Sequence, residues 1–222
     1  ILKRYDEYLN HLLISLKSKE DELESLCQEV SLIRKDAAKT FAASIKEALI
    51  DLNFLDVQFE VVFTKTADYT SVGIDEVEFL ISTNPGEPVK PLGKVASGGE
   101  LSRIMLAIKT VMADADEIES LIFDEIDSGI SGRTAQMVAE KMNVLGRNHQ
   151  IICITHLPQI AAYADAHFVI EKNVINGNTT TDIRLLDEDT SVGELARMLG
   201  GTVITDAALD NARELKKLAG KY

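Results

Sequence analysis

Hydrophobic residues recur at alternating intervals of three and four along the first fifty positions of the chain. One series repeats every seventh residue from Leu2 to Val30, and a second runs three positions behind it from Tyr5 to Ile33, with Lys19 as its polar member. This spacing predicts one long helix with an a/d seam of about five heptads. Because an apolar seam needs a partner helix, we expect either a preceding segment that folds back antiparallel or another subunit.

The interval between apolar residues changes after Ile33. Apolar residues then follow at successive steps of four as far as Ile45. Such a stutter is where a supercoil unwinds or a helix leaves its partner to pack elsewhere. No Gly or Pro occurs before residue 73. We therefore predict a coiled-coil arm helix over 1–53 and a separate lobe over 54–222.

Beyond residue 53, short apolar strands alternate with helices. Because strands separated by helices usually lie side by side in one sheet, we predict an α/β fold with a mainly parallel sheet flanked by helices. Pro and Gly residues at 84–91 mark an irregular loop. The predicted strands are 57–65, 77–83, 120–124, 150–155, 167–171 and 180–187, and the predicted helices are 99–113, 133–145, 158–163, 191–199 and 205–219.

Composition limits the class of protein. The 222 residues suffice for one buried domain and an appendage, and because 45% are hydrophobic but only 5% aromatic, the core must be mainly aliphatic. No segment approaches the roughly 20 apolar residues of a membrane-spanning helix. The chain starts with Ile and lacks the apolar run of a signal peptide, so we expect a piece of a longer polypeptide.

Charge and cysteine content narrow the possible functions. A net charge of −13 repels phosphate backbones, so the chain alone should bind DNA poorly, apart from local basic patches such as Arg34, Lys35 and Lys39. The two cysteines, Cys27 and Cys153, are far apart and have neither metal-ligand nor disulfide spacing. We expect both to be reduced thiols in a cytosolic protein.

The first chemically informative segment is ASGGELSR at 96–103. Ser97 stands three residues before Glu100, as in a capping box at a helix start. Gly98 and Gly99 leave the N–H groups of the first turn uncovered, and these groups together with the helix dipole suit an anion such as a phosphate. Taken alone, the segment is equally compatible with an ordinary capped helix after a flexible loop.

Two apolar strands each end in residues that can act on a phosphate. LIFDE at 121–125 would place Asp124 and Glu125 at the carboxyl edge of a sheet, where ligands of α/β proteins bind. The first acid of such a pair commonly helps to hold Mg²⁺, and the second is suited to polarise water as a general base. IICITH at 151–156 would bring His156 to the same edge. Either strand end, alone, could equally be a polar turn.

The turn that follows the acids is IDSGIS at 126–131, which ends at Ser131, a suitable N-cap for the next helix. In this order and spacing, the segments resemble the ABC ATPase family. ASGGELSR is similar to its signature motif, LIFDE to its Walker B strand, IDSGIS to its D-loop and ITH to its switch histidine. No G-x-x-x-x-G-K-[ST] sequence occurs, since Gly93-Lys94 is followed by Val95, so the Walker A half of the site is missing.

A helical arm that leads into a signature half without Walker A resembles the SMC-like branch of this family, in which a coiled coil separates the two halves. Within that branch, the stretch 93–171, with GISG at 129–132, resembles the bacterial ATPases that repair DNA double-strand breaks. The resemblance covers most of 57–200. It implies the C-terminal lobe of an ATPase head, in the bacterial cytoplasm and associated with the nucleoid.

The resemblance also implies a mechanism. Two heads enclose two ATP molecules, each bound to one subunit's Walker A and covered by the other's signature, so the turn at 97–99 is expected on a separate face, towards a second molecule. The implied roles are nucleotide contact in trans for Ser97, Gly98, Gly99 and Glu100, Mg²⁺ binding, directly or through water, for Asp124, the catalytic base for Glu125, γ-phosphate contact for His156, and coupling of the two sites for Asp127.

The expected partners are the N-terminal Walker A half of the same protein, a second identical head, and DNA, as single-stranded ends or duplex. No association with a membrane is expected. ATP and Mg²⁺ are the expected ligands, and the 222-residue chain alone is expected to be inactive. One alternative is another SMC-like or transporter cassette half. A second alternative is a structural coiled-coil adaptor whose head does not hydrolyse ATP.

Overall fold

The structure is a computed structural model that describes residues 2–95, 97–113, 115–175, 178–201 and 203–220. The side chain of Leu2 and the residue Ala96, both used in the sequence predictions, lie outside the described part. The chain divides into two compact units, which are Ile1–Lys46 with Asp56–Gly93 and Glu47–Leu55 with Lys94–Tyr222. Each unit therefore includes part of the first helix. The predicted boundary differs, because it falls after residue 53 and leaves the whole helix on one side.

A long helix and an antiparallel hairpin make up most of the first unit. Helix α1 runs unbroken over Leu2–Asp51, as its heptads predict. Strand β1 (Gln58–Thr70) pairs antiparallel with β2 (Gly73–Ser82), and β2 pairs with the short strand β3 (Lys90–Pro91). Both long strands extend further than predicted, because the tip of the hairpin has few buried side chains and so lacks the alternation by which a strand is recognised.

Aromatic rings join α1 to this hairpin. The ring of Phe41 lies 6.4 Å from that of Phe59 on β1 and 5.9 Å from that of Phe79 on β2. Upstream of this contact, the seam residues Leu16 and Leu23 are 56% and 42% exposed. The helix thus packs on the sheet beyond the predicted stutter, and a partner for its upstream seam remains a prediction.

The second unit contains the segments that carry the motifs. Its helices and strands alternate nearly as predicted, and each predicted element is present within a few residues. They are α2 (Gly98–Met112), β4 (Ser120–Phe123), α3 (Gly132–Leu145), β5 (Gln150–Cys153), α4 (Pro158–Ala161), β6 (Phe168–Ile175), β7 (Asn178–Leu185), α5 (Glu188–Gly200) and α6 (Asp206–Leu218).

Among the described residues, only β4 and β5 pair in parallel, with Ser120 opposite Gln150. Strands β6 and β7 form a separate antiparallel hairpin, as do β1 and β2. The α/β class with a long N-terminal helix is confirmed, but the expectation of a mainly parallel sheet is wrong. Strands joined by two residues can pair only antiparallel, whereas β4 and β5 are connected through helix α3, which allows the parallel arrangement.

One buried cluster of the second unit consists mainly of small apolar residues. Ala161, Ala162, Leu195, Ala196 and Ala212 are buried together where α4, α5 and α6 meet. The aliphatic core that the composition predicts is present here. Within the described part of the chain, no helix is both long and apolar enough to cross a membrane.

Candidate functional site

The parallel pair β4–β5 carries both of the predicted catalytic segments. Phe123, the last residue of β4, lies opposite Cys153, the last residue of β5. One residue further, the N–H of Ile154 donates to the carbonyl of Phe123 at 3.0 Å. Because the strands end in register, Asp124 and His156 leave the sheet at the same edge. Both side chains are exposed there.

Asp127 joins the two segments. Its carboxylate oxygen Oδ2 accepts from the hydroxyl of Thr155 at 2.6 Å and from the backbone N–H of His156 at 2.8 Å. The same oxygen lies 2.9 Å from Nδ1 of His156. Asp127 is buried, while the imidazole of His156 is 73% exposed. One buried carboxylate therefore fixes the loop that carries the histidine and also its ring.

Thr155 completes this arrangement. Its hydroxyl donates to Asp127 and accepts from the N–H of Leu157 at 3.0 Å. The sequence prediction gave no role to this residue, although a threonine directly before a histidine at a strand end is a signal for such a turn.

Asp124 and Glu125 have different surroundings. Asp124 Oδ1 accepts from the N–H of Glu125 at 2.9 Å, and its side chain is open to solvent. Glu125 has a φ of 56°, in the left-handed region that non-glycine residues rarely adopt. Its carboxylate lies against the start of α2, since a Cβ added to Gly98 would stand 2.5 Å from Glu125 Oε2.

The first turn of α2 begins as the capping box predicts. Ser97 is the N-cap, and its Oγ accepts from the N–H of Glu100 at 3.4 Å. Ser97 and Gly98 are exposed and Glu100 is half-buried. The start of α2 is therefore open to solvent at Ser97 and Gly98.

Gly99 is buried against the loop that follows β4. A Cβ at this position would lie 2.8 Å from Ser128 Cβ and 2.9 Å from the carbonyl oxygens of Glu125 and Ser128. The expectation that the turn at 97–99 occupies a face separate from the acids is therefore wrong. The absence of side chains at both glycines lets α2 pack directly on the acidic loop, so turn and acids form one continuous site.

Two further residues of α2 contact this loop, and the sequence prediction gave neither of them a role. Ser102 Oγ donates to the carbonyl of Asp124 at 2.8 Å. Arg103 NH1 donates to the carbonyl oxygens of Ile126 at 3.1 Å and Ser128 at 2.9 Å. No local signal in the sequence marks them, because the burial of Arg103, which requires its guanidinium to be paired, arises only in the folded chain.

Cys153 lies at the centre of the same edge but is not a reactive thiol. Burial, together with the negative charges of Asp127 and Asp124, raises the pKa of Cys153 to about 12. The thiolate is the nucleophilic form, so this cysteine is inert at neutral pH. The expectation that both cysteines are free thiols agrees with the structure.

The site can hold Mg²⁺ only together with the phosphates of a nucleotide, which would supply further ligands. Within the described residues, no group of three or more His, Cys, Asp or Glu side chains is placed to hold a metal ion. Mg²⁺ in nucleotide sites usually keeps several waters and is held by one or two carboxylates and the substrate phosphates. The exposed carboxylate of Asp124 meets that requirement.

Comparison with known proteins finds relatives that are longer than this chain. The chain is 45% identical over 218 residues to DNA repair protein RecN of Halalkalibacterium halodurans, which spans 96% of the chain and 39% of that relative. It is 42% identical to DNA repair protein RecN of Bacillus subtilis, over 98% of the chain and 40% of the relative. The chain thus spans about two fifths of the length of the curated relatives it matches.

The fold has a counterpart among solved structures. The Smc head domain with a coiled coil and joint from Pyrococcus yayanosii superposes with a TM-score of 0.51 and 22% identity, over 85% of this chain and 37% of that structure. No protein-family model matches the sequence.

Proposed function

The chain belongs to the RecN family of DNA repair proteins, matching the C-terminal part of its members, and on this premise we propose that it supplies one half of an SMC-like ATPase head that uses ATP to act on broken DNA. The observation that carries the proposal is the site itself, in which an aspartate, a glutamate, a histidine and an uncovered helix start adjoin one sheet edge. The complete head hydrolyses ATP, and this chain alone does not, because it lacks the phosphate-binding lysine of a Walker A sequence.

Glu125 is the catalytic base in this proposal. A carboxylate next to the γ-phosphate can polarise the attacking water and take its proton. Asp124 would hold Mg²⁺, directly or through water, and the ion would neutralise charge that develops on the phosphate oxygens. His156 would contact the γ-phosphate through Nε2, because Nδ1 is turned towards Asp127.

The start of α2 would bind the nucleotide of a second, identical head. Ser97 and Gly98 are exposed, and N–H groups at a helix N-terminus attract phosphate. Glu100 would lie at the rim of this contact. Gly99 packs directly on the acidic loop, and this packing brings the acids close to the turn. Asp127 would couple the two sites through its hold on His156.

The partner within the same protein would be the N-terminal Walker A half. The face of the β4–β5 pair supports this, since Ile122 is 70%, Ile152 46% and Ile154 53% exposed. Ile122 and Ile152 are register partners, so these side chains form one apolar patch. The remaining three fifths of the relatives' length is long enough to provide a lobe that covers it and a helix that covers the α1 seam.

DNA would contact mainly the other half of the protein. A net charge of −13 leaves this chain unsuited to phosphate backbones. The repair role would place the protein in the bacterial cytoplasm at the nucleoid, where ATP-driven head engagement would act on single-stranded ends or duplex DNA.

The experiment is ATP turnover by the longer protein with Glu125→Gln. We expect nucleotide binding to persist and turnover to fall at least ~100-fold, the scale of a lost general base. Glu119→Gln, an exposed acid directly before β4, is the matched control and should behave as wild type. Unchanged turnover in Glu125→Gln would remove Glu125 from this role.

A second measurement tests the division into halves. The 222-residue chain should neither bind nor hydrolyse Mg-ATP alone, and it should gain Mg-ATP binding and turnover when mixed with the N-terminal half. Hydrolysis by the chain alone would mean that the phosphate site lies elsewhere. Mixing that restores no nucleotide binding would favour a structural adaptor.

A further inference from the structure

The loop that carries Glu125 is held on both sides by neighbouring residues of α2. The carbonyl of Asp124, just before Glu125, accepts from Ser102 Oγ at 2.8 Å. The carbonyl of Ile126, just after it, accepts from Arg103 NH1 at 3.1 Å. Two consecutive side chains of one helix therefore fix the peptide groups that flank the acid.

This double contact matters because the backbone of Glu125 is strained. A φ of 56° is unfavourable for a residue with a Cβ and persists only where surrounding contacts over-determine it. Here the N–H of Glu125 donates to Asp124 Oδ1, and its carbonyl accepts from the N–H of Ser128. With Ser102 and Arg103 added, the loop has partners on each side of the strained residue.

Arg103 is itself held in one orientation. The side chain is 7% exposed, and its NH1 also donates to the carbonyl of Ser128 at 2.9 Å. Its guanidinium carbon lies 5.6 Å from the centre of the Phe54 ring, in the segment directly after α1. A lysine side chain ends one atom short of the NH1 position, so its ammonium cannot bond both carbonyls from the place that the guanidinium occupies beside the Phe54 ring.

We propose that Ser102 and Arg103 are positioning residues that hold Glu125 in the strained backbone conformation from which its carboxylate acts. This inference rests on the proposed function of Glu125 as catalytic base. The pair contacts the main-chain carbonyls on either side of Glu125 and acts through them. Because both residues belong to the helix that starts at Gly98, the acid and the phosphate-binding turn are set by the same rigid element.

The test uses the longer protein with Arg103→Lys and Ser102→Ala. Arg103→Lys keeps the charge but loses the double carbonyl contact, and we expect ~10–100-fold lower kcat with KM for ATP within about twofold, since small misplacement of a catalytic group costs up to about 100-fold. Ser102→Ala removes one hydrogen bond and should lower kcat by about fivefold. Arg213→Lys, an exposed ion-pair residue on α6, is the matched control.

A double variant separates positioning from general damage to the fold. If Arg103 acts through Glu125, then Arg103→Lys adds no further loss in a Glu125→Gln background, because the two residues work as a unit. Multiplicative losses would overturn the inference. So would wild-type kcat in both Arg103→Lys and Ser102→Ala. Should Arg103→Lys not fold, as judged by thermal unfolding, Ser102→Ala and its double variant with Glu125→Gln decide in the same way.

The design also separates this inference from the function on which it rests. Wild-type turnover in Glu125→Gln alone would mean that the proposed function has failed. If kcat falls in Glu125→Gln but stays at the wild-type value in both Arg103→Lys and Ser102→Ala, then only the positioning role has failed.

Discussion

Oδ2 of Asp127 lies 2.9 Å from Nδ1 of His156, and the same oxygen accepts from the backbone N–H of His156. Because a carboxylate can only accept, this short contact favours a hydrogen on Nδ1. The other ring nitrogen, Nε2, is then the one that faces solvent at the edge of the sheet. A buried acid thereby selects the tautomer of an exposed histidine, an effect known from other sites in which a second residue orients a histidine.

We expect Asp127→Asn in the longer protein to lower ATP turnover by ~10–100-fold, the usual cost of losing a group that orients a functional histidine. An asparagine keeps one acceptor oxygen but loses the negative charge that strengthens the three contacts of Oδ2, so it holds the imidazole less firmly. Thr155→Val removes one of the three and should cost about fivefold. The measurement is steady-state turnover, with Nδ1 and Nε2 nitrogen shifts of His156 as a direct readout of the tautomer. Unaltered shifts in Asp127→Asn would contradict the assignment.

Gly99→Ala should destabilise the chain, although alanine normally favours a helix. The added Cβ would meet the carbonyl oxygens of Glu125 and Ser128 at 2.9 Å, and displacing packed backbone costs ~1–3 kcal/mol. Thermal unfolding of the 222-residue chain should show a Tm lower by ~2–10 °C. Gly93→Ala is the control, since nothing lies within 4 Å of its added Cβ. Equal stability of the two variants would argue against tight packing of α2 on the loop.

Cys153 should react slowly with thiol reagents. With a pKa of about 12, its thiolate fraction at pH 8 is on the order of 10⁻⁴, whereas a typical cysteine with a pKa near 8.5 is roughly one quarter ionised. In a Cys27→Ala background, labelling of the folded chain should be at least ~100-fold slower than in denaturant. Rates within a few-fold of each other would show that the thiol is more open or more acidic than its surroundings imply.

Stability should decrease as the pH falls below about 6.5, partly through His167. Burial lowers the pKa of His167, against a smaller opposing effect of Glu194, and its Nδ1 lies 2.8 Å from Ser191 Oγ. The folded chain binds a proton at His167 less readily than the unfolded chain does. The contribution of His167 to stability is therefore complete above its pKa in the unfolded chain, and it is lost as the pH falls towards the lower pKa of the folded chain. The check is Tm against pH for His167→Asn, with His11→Asn on α1 as control. A slope unchanged by His167→Asn would contradict the prediction.

The sequence predicts the site well where local pattern determines position. Ser97 is the N-cap of α2 because a serine precedes the glycines, and His156 follows β5 because the apolar run ends before it. It predicts poorly where long-range contacts decide. Nothing local marks Asp127 as buried, since its three donors lie 28 and 29 residues further along the chain.

The hairpins were missed for a related reason. Asn176-Gly177, which lies outside the described residues, is a strong turn sequence between strands. The predicted strand nevertheless ends at 171, because the polar run Glu171, Lys172 and Asn173 interrupts the apolar pattern. The positive φ of Glu125 is likewise invisible in the sequence, since the residues that contact its flanking carbonyls, Ser102 and Arg103, lie on α2, more than twenty positions earlier.

The closeness of Glu125 to Gly98 has a consequence for nucleotide binding between the two proposed heads. The carboxylate lies beside the first turn of α2, with Oε2 2.5 Å from where a Cβ of residue 98 would be. A phosphate delivered by an opposing head would bring a second negative charge to that space, and like charges at this distance repel. The carboxylate of Glu125 would then have to rotate away from Gly98 as the nucleotide binds, while its backbone stays fixed. Binding of the nucleotide carried by the second head would thereby bring Glu125 into its catalytic position. A single head would not hydrolyse ATP.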